Sequence, residues 1–212
     1  PISKIINKKY FWKSEFFVNS FVLDPRPETE LIIEEVISNI ENKNRSLKIL
    51  DIGTGSGCLA ISLAKELKNA KITAIDISKK ALQVAKKNVD LHKITKQVTL
   101  KNSSIENIKE KYDFIISNPP YVDMDQYKNL KIEIRKFEPK IALLGGPDGL
   151  KFYRLFAKKI EHLMKSNAYF ICEIGKGQLN SCLNIFSNAN LNLKKISKDI
   201  QNIDRTLTFS NI

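Results

Sequence analysis

The sequence predicts an α/β fold with a doubly wound, mainly parallel sheet, and two observations carry this prediction. From residue 47 onward, short and almost continuously apolar runs alternate with segments of helical periodicity. Strands of that kind are buried on both faces, as in a parallel sheet covered by helices. In addition, a glycine-rich turn at residues 53–57 joins the first of these runs to a helix, which is how nucleotide-type ligands are often held.

The N-terminal elements differ from this pattern. Aromatic, β-prone runs occupy residues 16–18 and 21–23, and Asn19-Ser20 between them predicts a β-hairpin. The run Asp24-Pro25-Arg26-Pro27 interrupts regular structure. A helix is expected from about Glu28, because apolar residues recur on one of its faces.

The remaining elements follow in order. Strands are predicted at residues 47–52, 71–75, 98–100, 113–117, 168–174, 191–197 and 205–209. Helices are predicted at residues 57–67, 78–91, 126–135, 149–164 and 178–187, with Ser78 as the N-cap of the second.

Length and composition exclude several classes of protein. The 212 residues are 42% hydrophobic and 27% charged, which suits a globular domain rather than a disordered chain. No stretch reaches the roughly 20 apolar residues of a membrane span, so no membrane partner is expected. The net charge of +12 has two readings: lysines scattered by coding bias over solvated helix faces, or a partner with an acidic or phosphate surface. The three cysteines, none in a CxxC pair, are typical of thiols in a reducing compartment, so a cytoplasmic location is expected.

The glycine loop predicts a nucleoside ligand. Gly53, Gly55 and Gly57 permit a tight turn and a close approach to bare backbone. Asp76 ends the next strand and can accept hydrogen bonds from both ribose hydroxyls. A dinucleotide fingerprint would have glycine where this chain has Cys58. The spacing therefore favours S-adenosylmethionine over NAD or another nucleotide, although a purely structural turn stays open.

The tetrapeptide Asn118-Pro119-Pro120-Tyr121 follows a buried strand and is expected at the same edge of the sheet. Its prolines fix the backbone, so that the Asn118 side-chain oxygen and the Pro119 carbonyl form two acceptors on one rigid frame. Two acceptors match a planar –NH₂ group, which Tyr121 can cover by stacking. Holding an amide nitrogen in line with a methyl sulfonium favours methyl transfer through positioning, and it requires no histidine, cysteine or metal.

Four blocks of the chain together resemble the HemK/PrmC family of class I S-adenosylmethionine-dependent methyltransferases. They are the PRPETE run at residues 25–30, the glycine loop with the strand before it, the run from Asp113 to Tyr121, and the stretch from Arg135 to Arg154. The resemblance implies a Rossmann-like, seven-stranded sheet with a C-terminal antiparallel strand. It also implies transfer of a methyl group to N5 of the glutamine in the GGQ loop of peptide chain release factors.

The resemblance also implies a division of the chain and of the site. Residues 1–27 are expected to be the hairpin and lead-in, and residues 28–212 the catalytic domain; the small helical domain that the family carries first is expected to be absent. Asn118, Pro119, Pro120 and Tyr121 are the expected catalytic residues. The residues expected to bind the cofactor are Asp51, Gly53, Thr54, Gly55, Ser56, Gly57, Asp76, Ser103 and Asn118. The residues expected to bind the substrate are Arg26, Pro27, Glu28, Thr29 and Glu30.

Two positions depart from the family pattern. Asp24 stands where an apolar residue is usual, and Lys101-Asn102-Ser103-Ser104 replaces an acidic residue followed by an aromatic one near the adenine. Ser103 or Asn102 is then the expected acceptor for the adenine amine.

Three functions compete on the sequence alone. The first is the glutamine N5-methyltransferase. The second is an amino-methyltransferase acting on tRNA, rRNA or DNA, which the NPPY motif and the net charge favour; in the first reading nucleic acid is only an indirect partner. The third is a non-catalytic cofactor-binding module. The PRPETE block and the FEP block at residues 137–139 favour the first, since nucleic-acid enzymes share only the NPPY motif at residues 118–121. For Glu28 and Glu30 a purely structural role beside the helix dipole also stays open.

Overall fold

The computed structural model describes residues 1–211 and contains a seven-stranded sheet and a two-stranded hairpin. The strands are β1 (Lys8–Phe11), β2 (Ser14–Phe17), β3 (Lys48–Ile52), β4 (Lys71–Asp76), β5 (Val98–Asn102), β6 (Tyr112–Ser117), β7 (Met164–Glu173), β8 (Asn192–Lys198) and β9 (Asp204–Ser210). The helices are α1 (Ile2–Ile6), α2 (Glu30–Ser38), α3 (Cys58–Glu66), α4 (Lys79–Leu91), α5 (Met124–Asn129), α6 (Ile132–Phe137), α7 (Lys140–Leu143), α8 (Lys151–Leu163) and α9 (Leu179–Phe186). Short 3₁₀ turns lie at Pro27–Thr29 and Ile105–Asn107.

The large sheet has the predicted architecture. Its strand order is β5-β4-β3-β6-β7-β9-β8, and the first five strands pair in parallel. Strand β9 runs antiparallel to both β7 and β8. This confirms the Rossmann-like, seven-stranded fold with one antiparallel strand near the C-terminus.

Each central strand contributes to two cores, one on each face of the sheet. Along β6, Phe114 and Ile116 join the cluster that contains α2 and α3, whereas Ile115 joins the cluster that contains α8 and α9. Alternation of this kind follows from the period of two along a strand. It explains why these segments read as continuous apolar runs rather than as amphipathic ones.

The order of the strands creates the site. From β3 the chain moves outward through β4 to β5, and it then crosses back so that β6 lies on the other side of β3. The loops that follow β3 and β6 therefore leave the sheet in opposite directions and open a crevice at its carboxyl edge.

The hairpin forms earlier in the chain than predicted. Strands β1 and β2 pair with Tyr10 opposite Glu15, and the turn lies at Trp12-Lys13, where Trp12 has a φ of 53°. Asn19 does make a turn, because its side chain accepts a hydrogen bond from the Phe21 N–H. No paired strand follows that turn within the described residues, because Val22 packs instead against α4. The prediction of a hairpin was right, but the residues predicted to form its strands were wrong.

The predicted helix at residues 126–135 is two short helices, α5 and α6. Leu130 and Lys131 between them have extended ψ angles of 148° and 140°. The prediction missed this break because no glycine or proline marks it. Within residues 1–211, no helix is both long and apolar enough to cross a membrane.

Asn88 on α4 joins three parts of the fold, although nothing in the sequence marks it. Its side chain is fully buried, and its oxygen accepts from the Phe17 N–H at 2.7 Å. Its amide donates to the carbonyls of Phe17 at 2.9 Å and Ser56 at 2.8 Å. The hairpin and the glycine loop are thus fixed to the same helix by one carboxamide.

We expect Asn88→Ala to lower the free energy of unfolding by about 2–3 kcal/mol, because it leaves buried backbone groups without partners. Urea denaturation followed by circular dichroism measures this loss. Asn69→Ala, at an exposed position in the turn after α3, is the matched control and should change stability by less than about 0.5 kcal/mol. Equal stability of the two variants would show that Asn88 does not hold these parts together.

Candidate functional site

Two neighbouring cavities open at the carboxyl edge of the sheet. The first, of about 300 Å³, lies over the glycine loop and reaches Asp76 and Ser103. The second, of about 270 Å³, lies on the side of Tyr121 and Glu173. Both are lined by Leu23, Arg26, Asn118 and Ala142. A group bound in one cavity can therefore meet a group bound in the other beside Asn118.

The glycine loop has the conformation that its residues predict. Gly53, Gly55 and Gly57 all have positive φ angles, of 74°, 56° and 82°. A Cβ on Gly53 would meet nothing within 4 Å, and one on Gly55 only the Gly53 carbonyl at 3.9 Å, so both present bare backbone to open space. At these two positions glycine is required by backbone angle, and the approach of a ligand is left unobstructed.

Gly57 has a different role. A Cβ there would lie 3.1 Å from Ile61 Cδ1 and 3.4 Å from the Ala85 Cβ, so this glycine allows α3 and α4 to pack closely. Although it was predicted to bind the cofactor, it is not among the residues that line the first cavity within residues 1–211. Thr54 and Ser56, by contrast, do line it.

Asp76 lines the first cavity directly beside the glycine loop. Its Oδ2 accepts from the Gly55 N–H at 3.0 Å and its Oδ1 from the Ser78 N–H at 2.8 Å. Each carboxylate oxygen keeps further acceptor capacity for a ligand hydroxyl. Burial raises the pKa of this carboxyl above its ordinary value.

Asp51 supports the loop from below. It is buried in β3, and its Oδ2 accepts from the Thr54 hydroxyl at 2.6 Å. Burial raises its pKa to about 7, and the nearby Asp76 charge adds to the shift, while the Thr54 hydrogen bond opposes it. Asp51, a predicted cofactor ligand, is not among the described residues that line the first cavity, but it contacts Thr54, which does line it.

The expected adenine contacts divide between two residues. Ser103 lines the first cavity, and its hydroxyl donates to the Ser104 carbonyl, which leaves its oxygen able to accept. The Asn102 amide donates to the carbonyls of Asp76 and Ile77, at 2.9 and 3.0 Å, and thereby fixes the end of β4. Glu106 also lines this cavity and was not anticipated from the sequence.

Asn118 is the residue at the junction of the two cavities. Its Nδ2 donates to the Thr29 hydroxyl at 2.8 Å, and that hydroxyl donates to Glu173 Oε2 at 2.6 Å. This hydrogen bond uses one of the two Asn118 N–H groups and fixes the orientation of the carboxamide, which leaves the Asn118 oxygen as an acceptor for a ligand. Pro119 lines the second cavity and Pro120 the first, so the tetrapeptide forms the wall between them.

Glu173 is a site residue that sequence reasoning missed. It ends β7 at the same edge as Asn118, its side chain is buried, and its Oε1 accepts from the Tyr121 hydroxyl at 3.3 Å. Burial raises its pKa to about 7. Burial also raises the pKa of the Tyr121 hydroxyl well above its ordinary value, and the Glu173 charge adds to that shift. An acidic residue closing an apolar strand was the available signal, the same one that identified Asp76.

The backbone of the NPPY tetrapeptide is held by close packing. A Cβ on Gly145 would come within 2.7 Å of the Pro120 carbonyl oxygen, so only glycine fits there. A Cβ on Gly149 would overlap the Tyr121 carbonyl in the same way. The Gln178 amide also donates to that Tyr121 carbonyl at 3.0 Å. Gly145 and Gly149 thus allow the chain to pack closely against this motif.

The PRPETE residues are divided between the cavities and the interior. Arg26 lines both cavities and Glu28 lines the second. Thr29 lines the first and is buried against Asn118 and Glu173. Pro27 is exposed and opens the 3₁₀ turn.

The structure does not bring Glu30 to the predicted substrate pocket. Its carboxylate lies against the hairpin, where Oε1 accepts from the Trp12 N–H at 2.5 Å. The cause is the turn at Pro27–Thr29, after which Glu30 begins α2 on the side of the hairpin. Glu30 therefore contacts the backbone of the hairpin turn rather than the wall that Asn118 forms.

Asp24, the unusual residue before the first proline, takes part in a buried charge cluster. Its carboxylate pairs with Lys4 at 2.7 Å, and its backbone N–H donates to Glu138. Glu138 also pairs with Arg26 at 3.2 Å. The FEP block thereby fixes the PRP turn at the mouth of both cavities. Among residues 1–211, no group of three or more His, Cys, Asp or Glu side chains has the arrangement of a metal site.

Comparison with known proteins agrees with this geometry. The family model for the methyltransferase small domain matches residues 28–136. A release factor glutamine methyltransferase of Thermodesulfovibrio yellowstonii is 37% identical, over 98% of this chain and 75% of its own length. A bifunctional methyltransferase of Rickettsia prowazekii is 38% identical over the whole chain, which spans only 45% of that relative. The crystal structure of a ribosomal protein L11 methylase from Lactobacillus delbrueckii has the same fold, with a TM-score of 0.65, 18% identity, and 87% of this chain and 79% of the other covered.

Asp51 gives stability a pH dependence. Because burial raises its pKa from 3.8 to about 7, the folded protein retains a proton between those values that the unfolded chain releases. The contribution of Asp51 to stability is therefore largest below pH 4, and that contribution falls by about 1.4 kcal/mol per pH unit up to pH 7. We expect Asp51→Asn, which still accepts from Thr54, to make the free energy of unfolding fall less steeply between pH 5 and 7.

Asp148→Asn is the control for this measurement. Arg154 lowers the pKa of Asp148 to about 2, so it does not titrate in that interval. Urea denaturation at four pH values compares the slopes. A slope in Asp51→Asn equal to that of the unmodified protein would refute the assignment.

Proposed function

We propose that this chain methylates N5 of a glutamine side chain with S-adenosylmethionine as donor. The premise is that the chain belongs to the family of release factor glutamine methyltransferases and to the methyltransferase small domain family. The substrate is the glutamine of the GGQ loop of a peptide chain release factor. The observation that carries the proposal is the orientation of Asn118 between the two cavities, with one N–H group bonded to Thr29 and the side-chain oxygen available.

The first cavity suits S-adenosylmethionine. Asp76 supplies carboxylate acceptors for the ribose hydroxyls, and the bare backbone at Gly53 and Gly55 suits the amino-acid end of the cofactor. Ser103 supplies an acceptor on the adenine side. When bound, the cofactor supplies a methyl group activated by a positive sulfonium.

The second cavity suits the side-chain amide. An amide nitrogen is a poor nucleophile because its lone pair is delocalised, so the protein must hold it in line and stabilise the positive charge that develops on it. The Asn118 oxygen and the Pro119 carbonyl are the two acceptors proposed for its two N–H groups. Acceptors fixed in advance contribute most when charge develops, which is the stage at which they lower the barrier.

The alternative substrate class is nucleic acid. The PRPETE and FEP blocks favour a release factor, because nucleic-acid amino-methyltransferases share only NPPY. In this structure the two blocks meet where Arg26, which lines both cavities, pairs with Glu138. Nucleic acid would then enter only indirectly, through a ribosome-bound partner. We place the reaction in the cytoplasm, which also suits the three buried, unpaired cysteines.

The function is tested by incubating the protein with S-adenosylmethionine and a release factor, and measuring the mass of the GGQ peptide. A gain of one methyl group on that glutamine is expected, and none on a release factor with the glutamine changed to alanine. Parallel reactions with tRNA and DNA test the alternative substrate class. Methylation of nucleic acid in place of the release factor would overturn the proposal.

We expect Asp76→Ala to weaken binding of S-adenosylmethionine by roughly ten- to a hundredfold, the equivalent of about 1.5–3 kcal/mol for a charged acceptor. Isothermal titration calorimetry measures the change. Asp90→Ala, on the exposed end of α4, should leave affinity unchanged. Equal affinity of the Asp76 variant and the unmodified protein would remove Asp76 from the site.

We expect Asn118→Ala to slow methylation by about 10²–10³, the usual effect of deleting one preorganised group that faces transition-state charge. Cofactor affinity should change little, since most cofactor contacts lie over the glycine loop and Asp76. Single-turnover assays separate the rate from binding. Methylation at the unmodified rate would contradict the proposed chemistry.

A further inference from the structure

We propose that Glu173 is a positioning residue that acts through Thr29 to fix the orientation of the Asn118 carboxamide. The inference rests on the proposed function, because it assigns Asn118 the task of accepting a hydrogen bond from the methylated amide. It adds a residue on a different strand, 55 positions away in the sequence, that is linked to Asn118 through the Thr29 hydroxyl.

The direction of each hydrogen bond follows from the chemistry of the last group. In its ionised form Glu173 only accepts, so the Thr29 hydroxyl then donates to Glu173 Oε2, 2.6 Å away. The single Thr29 proton is then used, and its oxygen can only accept from Asn118, 2.8 Å away. Asn118 must therefore turn its NH₂ toward Thr29 and its oxygen toward the cavities.

This constraint matters because an asparagine carboxamide has little intrinsic preference between its two flipped orientations. Its terminal torsion has two broad wells about 180° apart, so the oxygen and the NH₂ group exchange places easily. In the reversed orientation, the Asn118 NH₂ would face the NH₂ of the substrate, donor against donor. Without the Thr29 hydroxyl, part of the population is unable to bind the amide productively.

Glu173 is itself held in place, so it can fix the Thr29 hydroxyl. Its side chain is buried at the end of β7, and its other oxygen accepts from the Tyr121 hydroxyl at 3.3 Å. Arg205 and Glu28 face it across the second cavity. The relay thus connects the ends of β6 and β7 with the start of α2.

The test compares Thr29→Val, which has nearly the same shape but no hydroxyl, with Thr29→Ser, which keeps it. Under single-turnover conditions we expect Thr29→Val to lower the methylation rate by about tenfold, the effect of one hydrogen bond to a charged group, and Thr29→Ser to restore most of it. The matched control is Thr208→Val, a buried threonine of β9 outside the relay, which should leave the rate unchanged.

A double-mutant cycle shows whether Thr29 acts through Asn118. In the Asn118→Ala background, Thr29→Val should cost less than about twofold, because the group that it orients is gone. If the two effects multiply instead, Thr29 acts independently and the relay is refuted. The same comparison with Glu173→Gln tests the far end of the relay.

A measurement that needs no substrate separates this inference from the proposed function. In the ¹⁵N-labelled protein, the side-chain amide resonances of Asn118 should shift in Thr29→Val and in Glu173→Gln, but hardly in Thr29→Ser or Thr208→Val. Failure to methylate a release factor, with these shifts present, would reject the substrate and leave the relay in place. Unchanged Asn118 resonances in Thr29→Val would overturn the relay even in an active enzyme.

Discussion

The reversal of strand order between β3 and β6 is the constraint on which the rest of the structure depends. Because the chain leaves these neighbouring strands in opposite directions, the sheet opens at one place on its carboxyl edge. The glycine loop follows β3 and the NPPY tetrapeptide follows β6, so two segments more than sixty residues apart become the walls of one crevice. Asp76 and Glu173 close the strands on either side of that pair.

A second feature follows from this placement, namely the use of buried acceptors to fix loops. Asp51, Asp76 and Glu173 all end or lie in strands, each directly between two apolar neighbours in the sequence, and each receives an N–H or O–H from a loop that lines the cavities. A buried carboxylate costs free energy unless it is hydrogen-bonded, so each of these loops is held by the need to satisfy its partner. Burial raises the pKa values of both Asp51 and Glu173 to about 7, and the same burial makes a hydrogen-bond partner from the loop necessary.

The parts of the structure that repeat along the chain could be predicted from the sequence, and the parts that depend on one long-range contact could not. Apolar runs and the Ser78 cap located the strands and α4 to within a few residues, because the signal is local. The position of the hairpin in the chain depends on the burial of Phe16 in the core, which is a long-range contact. The break at Leu130 has no local marker. In the site, Asp76 and Asn118 stand at the ends of strands that the sequence identifies. Asn88 and Glu173, by contrast, acquire their roles from partners 71 and 144 residues away. Glu30 shows the converse, since its motif was recognised but a 3₁₀ turn directs its carboxylate to the hairpin.

Rigidity at the junction of the two cavities explains how so few chemical groups suffice. The reaction proposed here needs no proton-shuttling histidine, so its rate depends on how accurately one nitrogen and one methyl group are aligned. The backbone of NPPY is fixed by its prolines, by the Gln178 amide and by glycine positions at which any Cβ would collide. The Asn118 side chain, which the backbone does not constrain, is oriented by Thr29. Main chain and side chain are thus held by separate interactions, and a substitution that disturbs one leaves the other in place.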